Sequence, residues 1–444
     1  MKEIHNAERK KRSETFAGDV VRSVAGYRHT SYGLLGVSIA LGVSVGLCVV
    51  LFRLVMRTAE DGFGSLFLSA TASLPGGRFL FPLLTALGGL GVGILGQTIF
   101  KHGHEEGMHG LVVAIKERAG KMHWISSLKA VVGAALTIGS GGGGGKEGPV
   151  ILLGSSVGSA LGQLAKLKPD ALRTLCAAGA AAAISGIFNA PLAGIIFAVE
   201  AIYGEIVMGP FISVVVASVL STAVRRLLIA DQTVIDFSGF IAPSPEGYVF
   251  IGLVGLSCGF VSYYYLRSYH AIHRWFSIGA AKLPKVLRPM IGGLAAGCIA
   301  TALPTMLEMS YRPVSDAIAG RYGLAIALAS FLVKPISNAV TLSSGGSGGT
   351  FAPSIKAGAM WGLAVSLLCA GFMPALAPGL LAVACAAAVL AGTWRIPLTA
   401  AVLLTEATQN FEILLPLLFA TVLSVFVVGK IRSAPSFNPL ETKD

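Results

Sequence analysis

Two stretches of this chain, residues 174–199 and 357–394, contain no Asp, Glu, Lys or Arg. About 20 consecutive apolar residues are enough for a helix to cross the hydrocarbon core of a bilayer. The composition points the same way. Of 444 residues, 54% are hydrophobic and only 13% charged, where a soluble domain carries about a quarter charged residues. A soluble multidomain enzyme is excluded; the expected class is an all-α polytopic membrane protein.

The formal net charge of +12 does not signal nucleic acid. Much of it is placed outside the apolar segments: Arg9–Arg12, Arg225 and Arg226, then Lys282, Lys285 and Arg288. Lys and Arg collect in cytoplasmic loops, so the N-terminal arm (1–30) and a 268–288 loop are expected in the cytoplasm. The 231–247 linker carries Asp231, Asp236 and Glu246 with no Lys or Arg, which suits the opposite side. The first 30 residues are too polar for a signal peptide. Six scattered cysteines without a CxxC read as core packing, not as disulfides or metal ligands.

The chain also repeats itself. "TIGSGGGGGKEGPVILLGSSVG", from Thr137, aligns without a gap on "TLSSGGSGGTFAPSIKAGAMWG", from Thr341. Pro149 pairs with Pro353, Gly154 with Gly358 and Gly158 with Gly362. Downstream, "GIFNAPLAGIIFAVEA" from Gly186 aligns on "GTWRIPLTAAVLLTEA" from Gly392, placing Glu200 on Glu406. Two blocks in one order predict two related halves, 31–230 and 248–435, and a short tail, 436–444. Duplicated membrane proteins are usually transporters or channels, with the site at the midplane where interrupted helices point their ends at it. Both Gly-rich blocks fit: a loop, then Pro in the first turn of a helix, where its missing N–H costs nothing. Two such starts converging would present free N–H groups and two positive dipole ends to one anion.

A phosphate-binding loop is the obvious competitor for "GSGGGGGKEGPV". It requires Gly six residues before the Lys and Ser or Thr after it; here those positions are Ser140 and Glu147. Close helix packing explains the glycines but not the ionisable pair Lys146–Glu147, and intramembrane charges are functional by default. Glu200 and Glu406, matched in the repeat, suggest one shared structural task, such as accepting helix or loop N–H groups, with proton relay as the alternative. Lys129 and Lys334 nearly match and read as field-setting or snorkelling cations. Lys356 and Arg395 occur only in the second half. "HGHEEGMHG", residues 102–110, has imidazoles and carboxylates, but is short, polar and without partner ligands elsewhere, so no metal is expected. No HExxH constellation is present; neither an enzyme nor a cofactor is expected.

"GKEGP" resembles the GREGP motif of the CLC chloride channel and transporter family, with Lys146 in place of arginine. "GGTFAP" resembles its GIFAP, and "FNAPLAGIIFAVE" and "RIPLTAAVLLTE" its following helices, from about residue 30 to the C-terminus. The resemblance implies two inverted repeats of tilted, broken helices, and a homodimer with one anion pathway per subunit. It implies a multi-pass protein of the inner membrane with both termini cytoplasmic, and no regulatory CBS domains. Glu147 would be the gating glutamate, exchanging places with chloride and carrying a proton. Backbone around Lys146, Glu147 and Gly148, and around Thr350, Phe351 and Ala352, would line the anion sites. Three positions depart from the pattern. The family's GSGIP serine falls at Glu106, beside Gly107, where the motif is unrecognisable. Its C-terminal tyrosine falls at Phe437, without the hydroxyl. The inner proton-transfer glutamate of many antiporters falls at Ala201. The expectation is chloride/proton antiport; a passive or proton-gated chloride channel is the alternative that Ala201 raises. A cation transporter using Glu147, Glu200 and Glu406 is the alternative of another class.

Overall fold

The computed structural model describes residues 32–73, 77–99, 107–205, 208–229, 233–237, 243–280, 282–306, 311–371, 378–431 and 435–437. The N-terminal arm, Glu106 with most of the His-rich run, parts of the 231–247 linker and residues 438–444 lie outside the described residues. Sixteen α-helices are found among the described residues. They are α1 (Tyr32–Ser73), α2 (Phe81–Thr98), α3 (Gly107–Lys116), α4 (Trp124–Gly139), α5 (Glu147–Leu164), α6 (Pro169–Phe188), α7 (Pro191–Phe197) and α8 (Met208–Leu228). The second series is α9 (Pro245–Ile278), α10 (Arg288–Ala302), α11 (Arg312–Ile318), α12 (Leu324–Ser343), α13 (Phe351–Cys369), α14 (Pro378–Trp394), α15 (Pro397–Thr408) and α16 (Leu414–Lys430). Eight of the described helices are long and apolar enough to span a membrane.

The two series of eight correspond member by member, and their contacts show how they are related. Gly145 N donates to Gly349 O at 2.8 Å, and Gly349 N donates back to Gly145 O at 2.6 Å, in an antiparallel bridge. Equivalent segments paired antiparallel run in opposite directions, so the halves are inverted about a local two-fold axis. The flanking contacts obey the same operation: Gly143 N donates to Thr341 Oγ1 at 2.9 Å, and Ser347 N donates to Thr137 Oγ1 at 3.0 Å. Gly141 and Gly345 turn the chain at φ 101° and 103°, a region open to glycine at little steric cost. The expected inverted duplication is therefore what the chain forms.

The uncharged segments lie at the centre. α6 and α14 are almost wholly buried and pack on α5 and α13 respectively. The approach is close: a methyl on Gly154 would strike the Gly179 carbonyl, and one on Gly358 the Cys385 carbonyl. Small residues permit such contact, and van der Waals packing between helices holds them in a bilayer. The outer helices carry the exposed apolar side chains, Leu47, Leu51 and Leu54 on α1, and Leu415, Phe419, Val422 and Phe426 on α16.

Three sequence expectations are corrected. Residues 268–278 are not loop but the end of α9, where Arg267, His270, His273 and Arg274 stay exposed while Tyr265, Leu266 and Phe276 are buried, so helical amphipathicity accommodates the charges. Arg225 is not outside the apolar segments: it is 1% exposed in the last turn of α8. Only Cys176, Cys258 and Cys385 are buried; Cys48 and Cys369 are partly exposed and Cys298 is exposed on α10, because a thiol is apolar enough for an outer face in a bilayer as well as for a core.

Candidate functional site

The bridge between the Gly-rich loops delivers two helix starts to one place. Lys146 is the N-cap residue of α5 and Glu147 its first residue; Thr350 is the N-cap residue of α13 and Phe351 its first. Each start exposes N–H groups that have no partner within their own helix. The Glu147 side chain is fully buried. It reaches across the bridge, where its Oε2 accepts from Ala352 N at 3.4 Å, while its Oε1 accepts from the Tyr311 hydroxyl at 2.7 Å. A methyl on Gly145 would lie 2.5 Å from Oε2 and 2.9 Å from Pro353 Cδ, so glycine is needed there for the carboxylate to fit. The arrangement places one negative charge at the positive ends of two helices.

Charge is also arranged around this carboxylate. Lys146 is half-buried and interacts with Glu147 and with Glu60 and Arg53 of α1. Glu60 in turn interacts with Lys356, buried inside α13. Lys146 thus has two carboxylates of its own half as counter-charges, Glu147 and Glu60, and pairing of this kind lowers the cost of ions in an apolar setting.

A wall of rings runs from the carboxylate toward the C-terminal tail. Phe188 meets Tyr311 at 5.7 Å between centroids, Phe197 meets Phe351 at 5.9 Å, and Phe351 meets Trp394 at 4.7 Å. Phe437 closes the wall against Trp394 at 6.0 Å, Tyr265 at 5.8 Å and Tyr269 at 5.0 Å. Its N–H donates to Thr393 O at 3.0 Å, which fixes the tail at the end of α14. Trp394 Nε1 donates to Thr350 Oγ1 at 3.1 Å. Tyr265 donates to Asn338 Oδ1 at 2.9 Å, and Asn338 Nδ2 donates to the carbonyls of Gly143 and Gly349 at 3.1 and 3.2 Å. One amide therefore ties both loops to the ring wall.

Of the residues singled out from sequence, Lys146, Glu147 and Gly148 meet Thr350, Phe351 and Ala352, and Phe437 joins them through Trp394. Gly148 also lines a cavity with Pro149, half-buried Lys129 and residues 345–348. Gly107 opens α3, and Glu106 is not among the described residues. Lys334 does not snorkel: it is 4% exposed, with Nζ donating to Met306 O at 3.5 Å, since α12 carries it inward. Arg395 holds the left-handed turn after α14, at φ 52°.

Glu200 and Glu406 form a separate arrangement. Glu406 accepts from Leu192 N at 3.1 Å and Ala193 N at 2.8 Å, at the start of α7. Glu200 accepts from Leu398 N at 3.0 Å, Thr399 N at 2.7 Å and the Thr399 hydroxyl at 2.6 Å, at the start of α15. Each half's glutamate caps a broken helix of the other half. Ala201 is buried. Sequence reasoning missed Tyr311, Asn338, Trp394 and the threonines 137 and 341. The threonines were detectable as an identity in the repeat; the others lie outside the repeated blocks or differ between them.

Among the described residues no group of three or more His, Cys, Asp or Glu is placed to hold a metal. A profile described as "Voltage gated chloride channel" matches residues 88–429. The H(+)/Cl(-) exchange transporter ClcA of Citrobacter koseri is 28% identical over 431 residues, covering 93% of this chain and 90% of that protein. Chloride channel protein CLC-f of Arabidopsis thaliana is 28% identical over 355 residues, 74% of this chain and 44% of that protein. In fold, a slow cyanobacterial Cl−/H+ antiporter matches with TM-score 0.79 and 23% identity, over 91% of this chain and 96% of that one. A CLC-type fluoride/proton antiporter matches with TM-score 0.79 and 20% identity, over 94% and 100%.

Proposed function

The chain belongs to the voltage-gated chloride channel family, and on that premise we propose that it exchanges chloride for protons across a membrane, with Glu147 as the gate. One observation carries the reading. The Glu147 carboxylate is buried at the paired helix starts and accepts an N–H of the opposite half. A carboxylate there stands in for the anion: it offers a single negative charge to the donors that a chloride would use. Protonation removes that charge and its claim on the N–H, so proton uptake and anion entry exclude the same occupant. The relatives named as proton/chloride exchangers support this reading. The pathway is lined by backbone of residues 146–148 and 350–352, and Phe437 brings a ring without a hydroxyl to the inner end, packed on Tyr265 and Tyr269.

The proton's inner route is not through position 201, an alanine, and both oxygens of Glu200 are engaged by donors of α15. Water or Glu200 then replaces the usual relay between the inner side and Glu147. The homodimer, the inner membrane, two cytoplasmic termini and repeat limits at 31–230 and 248–435 belong to the same reading. The test uses proteoliposomes loaded with chloride in a chloride-poor bath. Exchange drives protons inward against their gradient as chloride leaves; chloride efflux without proton movement would mark a channel instead.

A further inference from the structure

We propose that Tyr311 is the latch of this gate: its hydroxyl holds the charged carboxylate of Glu147 at the start of α13 and so sets how readily an anion replaces it. The inference rests on the reading of Glu147 as the gate. Tyr311 is 6% exposed and its hydroxyl donates to Glu147 Oε1 at 2.7 Å. A buried hydroxyl needs a partner, and here the partner must leave each time the pathway opens.

The tyrosine is mounted firmly. Its carbonyl accepts from Val314 N at 3.0 Å and Ser315 N at 3.1 Å in the first turn of α11. That short helix is braced by Asp316, which takes Arg321 Nη1 at 2.6 Å, and it packs on α13 and α14. The Phe188 ring lies against the Tyr311 ring. With ring and backbone held, the phenol oxygen stays beside Glu147, and in the gate reading the carboxylate is the partner that moves.

The energetics favour a latch over a passive contact. A hydrogen bond to an ionised acceptor is about twice as strong as one between neutral groups. The bond is therefore strong while Glu147 is charged and weak once it is protonated, so release follows proton uptake. The charged group interacting with Glu147 is Lys146 on the same turn, which interacts in turn with Glu60 and Arg53 of α1; Glu60 interacts with Lys356 of α13. None of these changes when the hydroxyl alone is removed.

The experiment measures chloride turnover and proton flux in proteoliposomes for Tyr311→Phe, in the native chain and in Glu147→Gln. Loss of a charge-assisted hydrogen bond predicts about a tenfold rise in turnover in the native chain, with exchange retained. In the Glu147→Gln background the same change should alter turnover less than about twofold, because the charged bond is already gone. An equal effect in both backgrounds, or none in the native chain, overturns the latch. Replacement by 3-fluorotyrosine keeps the ring and strengthens the donor; turnover should fall, and a rise or no change overturns the proposal independently of how Tyr311→Phe folds. If Glu147→Gln alone keeps proton coupling, the gate reading itself has failed, a result distinct from any Tyr311 outcome.

Discussion

The two Gly-rich loops have one backbone and two chemistries. Both turn at a left-handed glycine, exchange the same threonine bonds and end in a helix with Pro in its first turn. In the first half the helix opens with Lys146-Glu147-Gly148, in the second with Thr350-Phe351-Ala352. The shared part builds a double helix start; the unshared part puts a carboxylate on one side and a ring on the other. Symmetry supplies the place, and its breaking supplies a direction, because a carboxylate on one half alone makes the two sides of the bridge unlike.

The largest expected effect comes from erasing that difference. Glu147→Ala should abolish proton coupling while chloride flux persists, read as simultaneous chloride and pH signals from proteoliposomes; a folded variant without chloride flux would make Glu147 a ligand or a strut. Next are the crossed caps. Glu200→Gln and Glu406→Gln each replace a charged acceptor of backbone N–H groups, and each should cost about 1–3 kcal/mol of stability, measured as thermal unfolding in detergent. The costs should be similar for the two halves, with the proton-to-chloride ratio unchanged; loss of coupling in Glu200→Gln alone would make that residue a relay. The smallest effect is expected for Thr137→Val and Thr341→Val, about 1 kcal/mol each. Matching losses support the two-fold, whereas a loss confined to one would show that only one loop leans on its threonine.

Much of this was legible because the repeat is written twice. The paired prolines, the glycines and the lone Glu147 follow from aligning the halves, and the broken helix starts follow from Gly and Pro chemistry. Hydropathy could not say which apolar helices meet lipid, since it measures escape from water and is silent about what replaces water. Residues 174–199 and 357–394 were chosen as spanning segments, yet α6 and α14 meet protein almost everywhere. Their Ala and Gly content was the available sign, for small residues mark helix contacts in membranes. Arg225 read as a loop charge because a buried cation depends on tertiary neighbours that no local pattern reveals. Tyr311 was invisible for a related reason. It lies outside both repeated blocks, so aligning the halves gives it no partner.

The crossed caps bear on how such a chain is made. Glu200 finds its donors 198 and 199 residues later, and the donors of α7 wait for an acceptor 214 and 213 residues ahead. During synthesis the first half enters the bilayer with the start of α7 uncapped, and the pair of Gly-rich loops has only one member. Neither half is a finished domain by itself, although each has eight helices among the described residues. Maturation is thus postponed to the arrival of α15, and two separately expressed halves would be stable only in each other's company.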